Sequence, residues 1–600
     1  MSLSIALHNA LTGLQASQSV IQTISNNVTN ANTEGYTRKT SQPVSRALNL
    51  EGRGVDISQL DRVVDERLLS DLRANLGSLG LARTQEFYYQ RVLDQFGTLT
   101  SDSSIAATVS DLASAMQGVA AAPGSAAHRN EAVNAAVALA RQLNDLSTQV
   151  QDLRSDADKE ISTKINVING ELTKLADLNR QIDAGQALGQ ATVELEDLRD
   201  VTINKISGLM DVQHFKRNSG EIVVALPDGK IIADKKARLL SHTPASSLAA
   251  EISYPGAGIN GILSGGLDIT ADIAGGELAG LIQARDEILP NLQSELDGLA
   301  QKLRDELNTI HNAGSSRPPA QTLTGTRTFA APPTDTITLS SATRIAVVDE
   351  AGKFVAHFDL AAGSYTVTDI ESAIDTNLFG FATASTAVKG PLSISANAAG
   401  QGIAIVDLGA QTVTHTDGST TYSGFSNYFG LNDLFVSGTK VQGGSSVGLA
   451  NSIQVRGDIV ADPALLSRGT LSTATSPTPL AGDPAIELGD ASIAQALADK
   501  FIEDLPFSAA GKLPVMSTTF GGFAAEILSG TAVSASVAQK TTSFRETLAK
   551  ELTFRNAEVS GVNVDEELSN LVLYQNAYGA TARVIQVVND MFDELSNIIR

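Results

Sequence analysis

The feature that most constrains this chain of 600 residues is a shared apolar rhythm at its two ends. Leu3, Leu7, Ala10, Leu14, Ser17, Ile21, Ile24 and Val28 step alternately by four and three. That heptad spacing lines apolar or small side chains along one face of a helix that packs on another helix. Such a helix is roughly 40 Å long at a rise of about 1.5 Å per residue. Ser2 is its candidate N-cap. The polar run Asn30–Gly35 ends it, with Gly35 free to take a positive φ. Near the other terminus Val564, Glu567, Leu571, Tyr574, Tyr578, Thr581, Ile585, Val588, Phe592, Leu595 and Ile599 repeat the pattern. Asn563 followed three residues on by Glu566 is a capping-box spacing. Asp565 and Glu567 add negative charge at that helix start, and Arg600 places a cation at its end. Neither helix can bury its stripe alone, and isolated amphipathic helices are marginal in water. Pairing the two ends with each other, and then with copies from other molecules, is one solution. An ordinary domain with two helical ends is the other, and periodicity alone does not choose between them.

Between the ends the period changes twice. Residues 35–60 are extended in character, with Tyr36, Val44, Leu48, Leu50, Val55 and Ile57 set among Gly and Pro breakers. Helices are expected over 61–96, 104–121 and 127–183. The last carries the stripe Leu139, Leu143, Leu146, Val150, Leu153, Ala157, Ile161, Ile165, Ile168, Leu172 and Leu175. The run of fours at 153–157–161–165 is a stutter that locally unwinds a supercoil. From Val212 the period is two, and Pro227-Asp228-Gly229 between Glu221–Leu226 and Lys230–Ala233 signals a hairpin. Helix returns over 275–312, interrupted near Pro290, then over 492–503, where Ser492 is a candidate N-cap, and over 522–555. Residues 315–480 are rich in Thr, Ser, Gly and Ala with short apolar runs, the composition of an all-β insertion.

The expected fold is therefore multidomain and mainly α with β. Paired terminal helices from 1–60 and 556–600 form a coiled-coil inner domain. A helical bundle from 61–314 and 485–555 carries a β part around 212–270, and an all-β domain from 315–484 faces outward.

Several kinds of chemistry are excluded. No cysteine is present, which removes disulfides, thiolate nucleophiles and Cys-ligated zinc. A net charge of -23 argues against nucleic acid as a partner, because phosphate binding needs clustered Lys and Arg. His8, His128, His214, His242, His311, His357 and His415 are scattered, with no HExxH, so no local metal motif is expected. Gly256–Gly261 spells GxGxxG, but no long helix follows it; Gly444–Gly448 spells GxSxG inside a Gly/Ser-rich stretch. Both read as loops. No catalytic, cofactor or metal residue is nominated. The first residues show neither a basic flank nor an unbroken apolar run, so no cleaved secretory signal and no membrane span are expected.

The stretch Ile24-Ser25-Asn26-Asn27-Val28-Thr29-Asn30-Ala31-Asn32-Thr33-Glu34-Gly35-Tyr36-Thr37-Arg38 resembles the N-terminal motif of the flagellar rod, hook and hook-associated proteins. Ser560–Glu567, then Leu571, Tyr574-Gln575, Ala577-Tyr578, Ala582–Gln586 and Met591-Phe592-Asp593, resembles their C-terminal counterpart, and within it the hook-associated, junction-forming members. The resemblance is tight over 1–60 and 540–600, looser in the helical middle and absent over 315–480. It implies a non-enzymatic structural subunit, extracellular, part of the bacterial flagellum and exported unfolded without a cleaved signal peptide. Its partners would be copies of itself, hook subunits, a neighbouring hook-associated junction protein and an export chaperone on the C-terminal helix. The expected assembly residues are Leu3, Leu7, Leu14, Ile21, Ile24, Asn26, Asn27, Asn30, Gly35, Tyr36, Leu571, Tyr574, Tyr578, Ile585, Val588, Phe592 and Leu595. A hook or distal-rod subunit is the alternative within the class. A secreted adhesin or hydrolase acting through 315–480 is the alternative outside it.

Overall fold

The computed structural model describes residues 3–48, 51–57, 60–97, 104–217, 220–256, 258–329, 332, 334–415, 421–438 and 444–598. Ser2, Leu50, Ile599 and Arg600 lie outside them.

Thirteen helices are found among the described residues: α1 (Leu3–Thr29), α2 (Glu66–Phe96), α3 (Ile105–Ala121), α4 (Ala126–Ala187), α5 (Val193–Leu209), α6 (Gly276–Gln283), α7 (Leu289–Asn312), α8 (Val367–Asn377), α9 (Phe425–Phe429), α10 (Gly457–Ala461), α11 (Ser492–Lys500), α12 (Phe520–Ser560) and α13 (Val564–Ile598). Side chains set several of the starts. Asp65, Ser104, Ser125 and Thr519 each accept a backbone N–H of the first turn, which satisfies donors the helix cannot pair internally.

The helix expected from Asp61 starts five residues later. Asp61–Arg62 instead pairs as a strand with Lys39–Thr40, and the Asp65 carboxylate caps Arg67 and Leu68. Ser492 is the first residue of α11 and not its cap; its N–H donates to Asp490 Oδ1 at 2.8 Å. Helix α5 was not foreseen.

The 62 residues of α4 form the spine of the helical body, roughly 90 Å at about 1.5 Å per residue. All four residues of its stutter, Leu153, Ala157, Ile161 and Ile165, are buried. The neighbouring positions Arg154 and Asp158 are buried too, and they face a π-turn at Ala284–Ile288. That turn is the interruption expected near Pro290, which has no N–H to return to the carbonyl four residues back. Asp158 accepts from Arg285 at 2.8 Å, His242 at 3.0 Å and the Ala245 N–H at 2.7 Å. Although burial raises its pKa, these bonds outweigh burial and hold the carboxyl at about 2. The 213–216, 222–225 and 231–233 strands form the expected hairpin sheet on α4.

Two main cores organise most of the rest, beside a small third one around Val348 and Phe354. The larger runs from Tyr88 on α2 to Leu528 on α12 and includes Leu434–Leu466 as well as α3, α4, α6, α7 and α11. The smaller lies between Leu323 and Leu431. Among the described residues the insertion holds two three-stranded sheets, one four-stranded sheet and a two-stranded pair of Phe435–Val436 with Gln454–Val455, as its composition implies. Helix α8, fixed by a capping box of Thr366 and Asp369, is an addition that the apolar runs did not reveal. At the insertion's root, α7 presents Asn308, His311 and Asn312. Asn308 Oδ1 accepts from the Leu434 and Phe435 N–H groups, and Asn312 Nδ2 donates to Asp433.

By length and composition, one window within Phe520–Asn597 is apolar enough to cross a membrane, contrary to the sequence expectation. The chain breaks helix at Gly561–Asn563 inside that stretch. Its apolar content has another use, since α12 packs on α2 and α3, and α13 packs along α1.

Candidate assembly site at the chain ends

Helices α1 and α13 lie side by side, so close at Gly13 that an added Cβ would stand 3.3 Å from Thr581 Cγ2. The face of α1 buried most deeply is Ala10, Ala16, Val20 and Ile24; Leu3, Leu7, Leu14 and Ile21 are half-buried on its flank. On α13 the buried positions are Glu567 and Val588, with Leu571, Tyr574, Thr581 and Ile585 half-buried. Tyr578, Phe592 and Leu595 are exposed. A second apolar line on α13, Leu568, Val572, Leu573, Val584, Val587 and Met591, is also exposed and was not singled out in the sequence.

The double Asn of the N-terminal motif divides its labour. Asn26 is exposed, and its carbonyl accepts both the backbone N–H and the side-chain Nδ2 of Asn30, each at 3.0 Å, which closes the end of α1. Asn27 is 1% exposed and uses its whole side-chain amide. Nδ2 donates to Lys39 O at 2.9 Å and Glu567 Oε2 at 3.2 Å; Oδ1 accepts from Lys39 N and from Tyr36 OH, both at 3.0 Å. An Asn amide has two donors and two acceptor sites, and here all four are used. Gly35 turns the chain with φ +76°, and a Cβ there would collide with Val201 at 2.2 Å. Tyr36 then sits under Lys39, whose Nζ lies 3.5 Å from the ring centroid. Burial, with Glu194 and Asp197 nearby, pushes its phenol up, so the proton that bonds Asn27 is kept.

From this corner a chain of charges runs to α5 and α2. Arg38 donates through Nε to Glu567 and through NH2 to Glu566, both at 2.7 Å, and its backbone N–H donates to Ser560 O at 2.7 Å. Burial disfavours the Arg38 charge, but the two carboxylates outweigh it and raise its pKa. Thr37 Oγ1, Lys39 Nζ and Arg62 all donate to Asp197 at the start of α5. Arg62 also reaches Asp200 at 2.8 Å, and Asp200 accepts Arg73 at 2.8 Å. Arg73 in turn contacts Asn204 at 2.8 Å and His214 at 2.6 Å. Burial raises the Asp200 pKa, and the two guanidinium groups outweigh it and lower it; burial, reinforced by Arg73, brings His214 down to about 4. Carboxylate–guanidinium pairs that are buried and fully hydrogen-bonded fix geometry more than they add stability.

Thus Asn27, Tyr36 and Glu567 meet at one corner, and Leu571–Val588 lie along the helix pair. Thr37, Lys39, Arg62, Arg73, Asp197 and Asp200 were not nominated from sequence. The acidic start of α5 is visible there, but nothing local ties it to a loop 158 residues away. Among the described residues no group of three or more His, Asp or Glu is arranged to hold a metal. The GxSxG stretch is a turn fastened by the buried Asp297, which accepts the Gly448 and Ala450 N–H groups at 2.7 and 2.8 Å. The GxGxxG stretch leads into a short hairpin, Leu263–Asp268.

Comparison with known proteins falls on the same elements. Residues 91–326 match the family model "Flagellar hook-associated protein FlgK helical domain". Residues 7–37 match "Flagella basal body rod protein", and 556–598 match "Flagellar basal body rod FlgEFG protein C-terminal". Flagellar hook-associated protein 1 of Escherichia coli (strain K12) is 24% identical over 99% of this chain and 100% of its own length. The chain is similar over nearly its whole length to the flagellar hook-associated proteins. The protein of the same name from Salmonella typhimurium is also 24% identical over 99% of this chain and 100% of its own. That from Bacillus subtilis is 25% identical over 52% of this chain and 68% of its own. A solved structure titled as the flagellar hook junction protein FlgK from Burkholderia pseudomallei aligns with TM-score 0.47 and 18% identity, covering 82% of this chain and 100% of that one. In family terms, the two end motifs matched by rod-protein models are the two strands of one helix pair, and the matched helical domain is the body built on α4.

Proposed function

We propose that this chain is a structural subunit of the bacterial flagellum at the hook–filament junction, assembling with copies of itself and with hook-related neighbours through α1 and α13. The observation that carries this reading is the second apolar line of α13. After α1 has taken one face of that helix, Val572, Leu573, Val584 and Val587 remain 47–62% exposed on another. Burying a few hundred Å² of such surface at about 25 cal/mol per Å² is enough to drive association. The residues split by role: Leu571, Ile585 and Val588 hold the pair, while Val584, Val587, Tyr578, Phe592 and Leu595 meet neighbours. Before assembly the same line would bind an export chaperone, and the chain would leave the cell unfolded, without a cleaved signal. Residues 1–60 with 556–600 form the inner unit and 61–314 with 485–555 the helical body, to which Leu434–Leu466 also packs. The remainder of 315–484 faces outward. No catalytic step is needed for this role.

Replacing both Val584 and Val587 by Asp in the full chain tests it. The purified variant should stay folded and monomeric and lose its hold on the export chaperone, and cells carrying it should show hooks, no filaments and flagellin shed into the medium. Normal filaments on that variant would refute the assignment of this face.

A further inference from the structure

The outward insertion carries a surface that assembly through the termini does not use. Its four-stranded sheet orders the strands Gly363–Thr366, Thr336–Leu339, Thr412–His415 and Thr421–Ser423. Ile337, Leu339 and Val413 point into the insertion's core, with Tyr365 and Tyr422 packed against it. Strand alternation therefore presents the intervening residues outward, and those are hydroxyl-bearing. Register sets Ser364 beside Thr338, Thr338 beside Thr414 and Thr414 beside Thr421, a row of four across the sheet. In the next row, two residues along, Ser340 donates its N–H to Thr412 O, and Thr412 pairs with Ser423. Strand spacing of about 4.8 Å and a repeat of about 6.7 Å along each strand make these rows a lattice. Thr338, Ser340, Ser364, Thr412, Thr421 and Ser423 are all exposed. None of these lattice positions holds a charge, in a molecule of net charge -23.

The second row runs into a cleft of about 490 Å³ between the insertion and α7, lined in part by Gln411, Ser423, Ser426 and Asn427. Asn427 is 4% exposed. Its Nδ2 donates to Ser423 O at 3.0 Å and Thr309 Oγ1 at 3.3 Å, whereas its Oδ1 is buried with no hydrogen-bond partner. A buried acceptor left unpaired is destabilising and calls for a donor.

The chemistry selects the ligand class. A Ser or Thr hydroxyl both donates and accepts, so a lattice of them matches a ligand whose groups do both at every position. The lattice offers no cation to a phosphate or carboxylate and no apolar band to a helix. A second copy would bring its own -23 charge to a face without compensating cations. We propose that this sheet face and the cleft at its edge bind a neutral glycan.

The test uses the full chain, with neutral dextran, laminarin and a soluble mannan as probes, dextran sulfate as the charged control, and titration calorimetry as the readout. The native protein should bind at least one neutral polymer, and dextran sulfate no more tightly. Thr338→Val together with Thr414→Val, which keeps β-branched shape in the strands, should weaken binding at least tenfold without moving the melting curve. A second variant, Ser364→Ala with Thr421→Ala, should do the same and guards against a fold defect in the first. Absence of binding to all three neutral polymers, tighter binding of dextran sulfate, or undiminished affinity in both variants overturns the proposal. So does a change in sedimentation of the unliganded variants, which would make the lattice a contact between copies.

Discussion

At the scale of single residues, Asn27 explains why a motif that looks like a loop signature reaches back into the preceding helix. Asn26 and Asn27 are indistinguishable in sequence, yet one closes the end of α1 in solvent while the other joins α1, the 36–39 segment and α13. Removing that amide leaves the Lys39 N–H and carbonyl and one Glu567 oxygen without a partner in a closed space. Asn27→Ala is expected to destabilise the terminal pair by about 2–4 kcal/mol, since net hydrogen bonds contribute about 1 kcal/mol each and orphaned buried groups add to the loss. Asn26→Ala, at an exposed position, should change it by about 0.5 kcal/mol or less. Hydrogen exchange of α1 and α13 amides in the two variants separates these outcomes; equal protection in both would contradict the division of roles. The same site shows what was illegible in sequence. The loop of 30–35 and the positive φ of Gly35 could be read from the polar run and its glycine. Its anchors Asp197 and Glu567 could not, because they lie 158 and 540 residues away from their partners Lys39 and Asn27.

At the scale of elements, long periodic helices were the readable part. α1, α4 and α13 are helices where their heptads placed them, although Tyr578, Phe592 and Leu595 of the α13 stripe are exposed, and even the 153–165 stutter has a physical counterpart in the polar cluster of Arg154, Asp158 and Arg285. Short elements obeyed tertiary context instead. Asp61–Arg62 became a strand because Lys39–Thr40 lies beside it, and α8 is held by a capping box in a sequence otherwise rich in strand formers. The C-terminal end of α7 is a further case, since Asn308, His311 and Asn312 look like an ordinary polar helix end, yet they anchor the insertion. His311 Nε2 accepts the Ser467 N–H at 2.9 Å and its Nδ1 donates to Asn432 O at 2.6 Å, which requires the neutral ring. Burial lowers its pKa from 6.5 to about 4. The sign follows from linkage: the unfolded chain takes up the proton below about 6.5 while the folded chain resists it. This contribution is therefore complete above about 6.5 and is lost as pH falls toward 4, by as much as about 3 kcal/mol. His311→Gln keeps a donor and an acceptor but does not titrate. Between pH 7 and 4.5 the variant should lose less stability than the native chain, read from urea midpoints followed by a probe in the insertion; parallel losses would exclude His311 as the source.

At the scale of the whole molecule, the two main cores and the terminal pair are joined by different kinds of interaction. The helical body closes over apolar surface along α4. The terminal pair instead meets the body through a polar corner in which Arg38, Lys39 and Arg62 face Glu566, Glu567, Asp197 and Asp200. A polar joint of this kind sets direction, while the apolar α1–α13 seam supplies most of the cohesion between the ends. The body should therefore outlast loss of the seam. Deleting residues 1–30 removes Asn27 and the face that covers Leu571, Ile585 and Val588, but no residue of the core that runs from Tyr88 to Leu528. Limited proteolysis of the deletion variant is expected to trim α13 rapidly and to stop near Gly561, leaving a resistant fragment that begins close to Glu66 and keeps the melting transition of the intact body. Adding salt to the native protein should loosen the corner, whose exposed pair Arg38–Glu566 is screened, without exposing the seam. If the deletion instead sensitises α4 or α7 to protease, the terminal pair is part of the body's own core and the separation of joint from seam is wrong.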